Sequence, residues 1–122
     1  MPDANGQPPA DDFCYLTTTG RRTGRPHRIE IWYVLDGDTV YLLAGAGRRS
    51  DWVKNLVAEP AVLVEVDGMV HDARGRPLDG DGDGDEAELA RSLVHAKYAP
   101  RSGGDLTGWR DSSLPVALDL SS

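Results

Sequence analysis

Residues 13–19, FCYLTTT, crowd aromatic and β-branched side chains together, which is the composition of a strand, and the run ends at Gly20. From His27 onward Ile29, Ile31 and Tyr33 alternate with Arg28, Glu30 and Trp32; Asp36-Gly37 follows, then the extended run TVYLLAGA. A period of two on both sides of an Asp-Gly pair predicts a β-hairpin. At residue 50 the period changes. Ser50 is placed to cap a helix by accepting a backbone N–H, and Asp51 complements the helix dipole. Trp52, Val53, Leu56 and Val57 then form one apolar stripe, and Pro60 stops the helix near Glu59.

Two more extended runs, AVLVEV and MVHDARGRP, meet at Asp67-Gly68 and predict a second hairpin. The acidic stretch LDGDGDGDE reads as a flexible loop. EAELARSLVHAKY is a second helix with Leu89, Leu93 and Ala96 at helical spacing and Pro100 just beyond it. A glycine-rich link, APRSGGDLTGW, leads to a last strand, SLPVALDL. The order is β, ββ, α, ββ, α, β. Paired hairpins without regular alternation of single strands and helices predict a mainly β (α+β) fold, a small antiparallel barrel or sheet carrying two packed helices. Residues 1–12 show no apolar periodicity and read as a disordered lead-in, leaving a single domain over residues 13–122.

Charge changes this picture in one place. The chain of 122 residues carries 13 basic and 20 acidic side chains, a net −7, which disfavours nucleic-acid backbones as partners. Between Gly20 and Lys54, however, seven basic residues stand against four acids, leaving the remainder at −10. A basic island in an acidic protein points to a small anion, with scattered solvated arginines as the plain alternative. Cys14 is the single cysteine, so no intrachain disulfide forms. There is no apolar leader and no run near the ~20 residues of a spanning helix, so a cytoplasmic protein is expected, with weak membrane association left open.

Several chemistries are disfavoured by spacing. His27, His71 and His95 are far apart and lack a metal-ligand pattern; His27 alone lies among the basic residues. Asp79, Asp81 and Asp83 resemble the start of a calcium loop, but the twelfth position is Ala90 where a bidentate Glu belongs. No metal is expected. There is no nucleophile elbow, and Cys14 lies in an apolar run where a thiol is inert. The anion reading remains. In TTGRRTG the hydroxyls and glycine-exposed amides can donate to phosphate oxygens, and Arg21 and Arg22 add charge-assisted bonds. In GAGRRSDW, Arg48, Arg49 and Ser50 stand at a helix N-terminus, where free N–H groups attract anions. Neither is a Walker A.

The ordered set YLTTTGRRTGRPHRIEIWYV, YLLAGAGRRSDWVKNL and AVLVEV resembles the deazaflavin (F420)-dependent nitroreductase family of split β-barrel proteins, from about Tyr15 to Leu120. The resemblance implies coenzyme F420, a deazaflavin with a phosphate and an acidic glutamyl tail, with FMN as the alternative on the same fold. It places the phosphate turn on Arg21, Arg22 and Thr23, a basic position on His27, and a Trp/Asn motif on Trp52 and Asn55, preceded by Arg48, Arg49 and Ser50. Trp52 and Asn55 lie within about 60° on a helix, so both can face one pocket; core packing of Trp52 and a surface role for Asn55 are the plain alternatives. The chain departs from its relatives at Ile29-Glu30-Ile31 and at Ala46, where the resemblance places the deazaflavin ring and its substrate. The implied activity is hydride transfer from reduced F420 to a quinone, an activated alkene or a nitro compound, the proton coming from solvent or from Tyr98. Tyr98 and Trp109 are the aromatics available for a substrate wall. A non-catalytic carrier of F420 or of a lipid-like ligand is the alternative class, and both monomer and homodimer remain open.

Overall fold

A computed structural model describes residues 13–102 and 105–121; the lead-in of residues 1–12 lies outside them. The strands are β1 (Cys14–Thr19), β2 (Pro26–Ile31), β3 (Val34–Asp36), β4 (Thr39–Ala44), β5 (Ala61–Val66), β6 (Met69–Pro77) and β7 (Leu114–Leu120). The helices are α1 (Asp51–Ala58), α2 (Gly84–Ser102) and α3 (Thr107–Ser112). All strand pairs are antiparallel, and the sheet order is β2-β1-β5-β6-β7-β4-β3. The two edge strands are consecutive in the chain, separated by Trp32 and Tyr33 alone. In a flat sheet these edges would stand roughly 29 Å apart, at about 4.8 Å per strand. Three Cα steps reach roughly 11 Å. The sheet therefore curls on itself, which is the split barrel.

That edge-to-edge switch corrects one expectation. The run from His27 to Ala44 is not one hairpin: β2 pairs with β1, from Thr19↔Pro26 to Cys14↔Ile31, and only β3 pairs with β4 around Asp36-Gly37. The cause is capture of Trp32 and Tyr33 by α2. The Tyr33 N–H donates to the Tyr98 hydroxyl at 3.0 Å, and the Tyr33 carbonyl accepts from the Tyr98 hydroxyl at 3.0 Å and from Lys97 Nζ at 2.8 Å. Trp32 stacks on the Tyr98 ring with centroids 4.3 Å apart. Peptide groups that would have joined a ladder are satisfied by a helix instead.

Inside the curl, alternate strand residues make the core: Cys14 and Leu16 of β1, Val40 and Leu42 of β4, Val62 and Val64 of β5, Val116 and Leu118 of β7. Helix α1 plugs this core with Val53 and Leu56. Leu56 seats so closely on β6 that a Cβ at Gly75 would lie 2.3 Å from its Cδ1, so only glycine fits there. The stripe expected on α1 is thus shifted: Val57 is exposed, and Asn55 is buried in its stead. The hairpin of β5 and β6 forms as expected, with Asp67 and Gly68 both at positive φ (55° and 79°).

Helix α2 covers the outer face of β4 and β7, packing Ala87 and Ala90 on Tyr41 and Ala117, and Val94 and Tyr98 on Leu43. Of the expected stripe only Leu93 packs on this face, partly buried; small alanines let the helix approach the sheet, and Leu89 and Ala96 stay exposed. The helix also continues through Pro100. The missing proline N–H would have bonded the carbonyl of Ala96, an exposed residue whose carbonyl water can satisfy. Helix α3, unexpected in a glycine-rich link, makes three helices rather than two among the described residues. At six residues it is too short to persist alone, and Leu106 and Trp109 anchor it on the cluster around Tyr98.

Candidate cofactor site

The turn after β1 is drawn tight by its glycines. The Gly20 N–H donates to the Arg25 carbonyl and the Gly24 N–H to the Gly20 carbonyl, both at 2.8 Å, with Gly24 at φ 74°. The Thr23 hydroxyl accepts from the Arg25 N–H at 3.2 Å. His27 folds back over the turn, so that a Cβ on Gly20 would meet its Nε2 at 2.6 Å. Glycine at position 20 is what lets the imidazole lie there.

Helix α1 meets this turn through Asn55 and Asp51. Asn55 Oδ1 accepts from Arg21 Nη1 at 2.7 Å and from the Arg21 backbone N–H at 3.2 Å; its Nδ2 donates to Thr18 Oγ1 at 3.3 Å. Arg21 Nη2 also lies 3.4 Å from Asp51 Oδ1, a carboxylate side chain 86% exposed, where solvent screens the pair. Gly20, Arg21, Arg22, Thr23, His27, Asp51 and Asn55 line an open cavity of about 290 Å³. Five residues expected to bind the cofactor, Arg21, Arg22, Thr23, His27 and Asn55, are brought together in its wall.

The second cluster is arranged differently. Ala46 is exposed in the turn after β4, and Gly47–Arg49 form a single 3-10 turn leading into α1. Arg48 points away, with Nε 2.6 Å and Nη2 2.8 Å from the two carboxylate oxygens of Asp79. The pair holds the Asp79 carboxyl below the usual carboxylate range and pushes Arg48 up. The acidic loop thus supplies Arg48 with a partner. Arg49 is exposed and has no partner among the described residues. Ser50 stands at the cap position of α1, but its hydroxyl makes no cap bond; its backbone N–H donates to the Gly47 carbonyl at 3.1 Å instead, because the preceding 3-10 turn runs directly into the helix. Trp52 is half-buried against the barrel core and is not among the residues that line the cavity.

Tyr98, named as a proton donor from the sequence, is 1% exposed, and its hydroxyl donates to the Tyr33 carbonyl at 3.0 Å, where it clasps the edge switch. Trp32 and Trp109 pack with Tyr98 in one cluster. Trp32 joins Tyr98 and meets Trp109 edge-on at 5.6 Å, and the Trp109 indole nitrogen lies 3.5 Å from where a Cβ on Gly45 would stand, next to Ala46. The sequence pattern did hold a sign of Thr18: it is the polar member of the inward phase Cys14, Leu16, Thr18, and a polar residue in that phase needs a buried partner. Burial pushes the Cys14 thiol up to about 12, which leaves it unreactive. Among the described residues no helix is long and apolar enough to cross a membrane.

Solved structures with this architecture include one of an F420-H2 dependent reductase, FDR-A, 22% identical, covering 90% of this chain and 94% of that one at a TM-score of 0.69. Another, known as a domain-swapped dimer, is 24% identical over 90% of this chain and 80% of that one, at 0.68. A third, a candidate 5-nitroimidazole antibiotic resistance protein of Bacteroides thetaiotaomicron, is 12% identical over 92% and 74%, at 0.68. At these identities they establish the fold. The assignment comes from the sequence family: the model of the F420H(2)-dependent quinone reductases matches residues 4–120. The basic island, the split barrel and this match agree, and the chain belongs to the F420H(2)-dependent quinone reductase family and is an F420-dependent oxidoreductase.

Proposed function

We propose that the Arg21 cavity holds the anionic part of F420 and that the enzyme reduces a flat, electron-poor acceptor: a quinone, an activated alkene or a nitro compound. The observation that carries this reading is the junction of turn and helix, where Asn55 holds Arg21 beside Arg22 and Thr23 in one cavity. The donor set fits an anion. Guanidinium and hydroxyl donors converge there on a protein whose net charge is −7. When bound, reduced F420 supplies the hydride, so the chain needs no nucleophile of its own.

The remaining work falls to side chains. Arg22 and Arg49, without partners among the described residues, offer charge-assisted bonds to phosphate or glutamyl oxygens. Trp32 and Trp109 present aromatic surface near Gly45 for a planar acceptor. The small Ala46 leaves space next to them. With Tyr98 committed to Tyr33, the proton comes from solvent. The test mixes purified protein with reduced F420 and panels of quinones, enones and nitro compounds, following recovery of the oxidised deazaflavin absorbance. Turnover with a quinone is expected. Binding of F420 without turnover on any acceptor would mark a carrier, and a protein that retains FMN and ignores F420 would overturn the cofactor.

A further inference from the structure

Asn55 is 4% exposed and Thr18 is 1% exposed, yet both are polar, and they sit between the barrel core and the Arg21 cavity. The orientation of the amide is fixed by its neighbours. The Arg21 guanidinium and backbone N–H offer only donors, so the oxygen must face Arg21 and the nitrogen must face Thr18. Both acceptor sites of Oδ1 are then used, one by Nη1 at 2.7 Å and one by the backbone N–H at 3.2 Å. One N–H of Nδ2 goes to Thr18 at 3.3 Å. An anionic ligand brings acceptors, and Asn55 has a single N–H left for them, almost wholly buried.

From this we infer that Asn55 is a positioning residue: with Thr18 as its backstop, it fixes the guanidinium and backbone of Arg21 and acts on the cofactor only through that arginine. The inference rests on the Arg21 cavity being the anion site. An amide suits this role because it holds a guanidinium without cancelling its charge. The carboxylate of Asp79 on Arg48 shows the contrasting case in the same chain. Arg21 is thereby pre-ordered when the ligand arrives, and the carboxylate of Asp51, 3.4 Å from Nη2, is 86% exposed and screened by solvent.

A double-mutant cycle separates this role from direct contact. Asn55→Ala should weaken F420 binding about tenfold in the wild-type background and less than twofold once Arg21→Ala is present. An equal loss in both backgrounds would mean that Asn55 touches the ligand itself, overturning the inference. Thr18→Val, a milder change, should weaken binding about threefold, again only when Arg21 is present, and Thr18→Ser should restore it. This second pair serves if Asn55→Ala does not fold. A ligand-free readout stands beside these: the Arg21 amide should exchange its hydrogen at least tenfold faster in Asn55→Ala, and the Thr18 variants should follow the same order. If the wild type binds no F420, the cofactor reading fails and amide exchange decides the relay. Unchanged exchange at Arg21 would then refute it.

Discussion

Gly-Arg-Arg-Thr at 20–23 and Gly-Arg-Arg-Ser at 47–50 are nearly the same tetrapeptide, each following a strand of the same sheet. In the first, the leading arginine is held at 2.7 Å by the neutral amide of Asn55, with the exposed carboxylate of Asp51 at 3.4 Å, and faces a cavity. In the second, the leading arginine is gripped by the carboxylate of Asp79 and faces an acidic loop. The guanidinium held by the amide faces the cavity, whereas Arg48 has Nε and Nη2 occupied by the two oxygens of Asp79. Local sequence marks both turns as candidate anion sites; on the proposed reading, the residue that tertiary structure brings to each separates the two.

Both pairs depend on the seating of α1, so unseating it breaks them together. Gly75→Val puts a side chain where Leu56 lies and should destabilise the fold by about 1–3 kcal/mol in urea unfolding. It should also weaken F420 binding. A change on the far side of the barrel should separate stability from binding. Tyr98→Phe removes the hydroxyl bonded to Tyr33 and should cost about 1–2 kcal/mol. Its kcat should stay within twofold of wild type, whereas a large loss of kcat would restore Tyr98 as proton donor.

A smaller effect comes from the ion cluster of Arg76, which forks to Glu86 (2.7 and 2.8 Å) and Asp119 (2.6 and 3.1 Å) and binds α2 to β6 and β7. Hydrogen bonds from Arg76 hold both carboxyls below their ordinary values of 4.5 and 3.8. Groups whose folded pKa is lowered stabilise the protein above the unfolded value, and that contribution is lost as the pH falls through the folded one. Arg76→Ala should therefore cost about 1 kcal/mol at neutral pH and flatten the loss of stability below about pH 4.5, measured by thermal unfolding across pH. F420 affinity should not change. Smallest of all is Asp79→Ala, which removes the partner of Arg48 without touching the cavity. Affinity for F420 should move less than twofold, and a rise of tenfold or more would bring Arg48 back into the site.

Much of this was legible along the chain, for local reasons. Period two in AVLVEV and MVHDARGRP, with Asp67-Gly68 between them, fixes a hairpin whose partners are neighbours in sequence. The switch at Trp32-Tyr33 was not legible, because it depends on Lys97 and Tyr98, 64 and 65 residues away from Tyr33. Helix α3 was hidden by its glycine-rich surroundings, since it owes its existence to Trp109 packing and not to propensity. Within the site, Arg21, Arg22, Thr23, His27 and Asn55 were found by motif and do share a cavity. The separation of Arg48 from them was invisible, because a run of alternating Asp and Gly looks like a solvated loop until one of its acids meets a guanidinium.

The most direct test of the contrast is a titration of wild type, Arg21→Ala and Arg48→Ala with F420, at two salt concentrations and with FMN alongside. Arg21→Ala should bind roughly thirtyfold more weakly, about 2 kcal/mol for lost charge-assisted bonding, and should show a shallower dependence on salt. Arg48→Ala should stay within twofold of wild type. Equal weakening by both substitutions, or by neither, would contradict the assignment of the anion site to the first arginine pair.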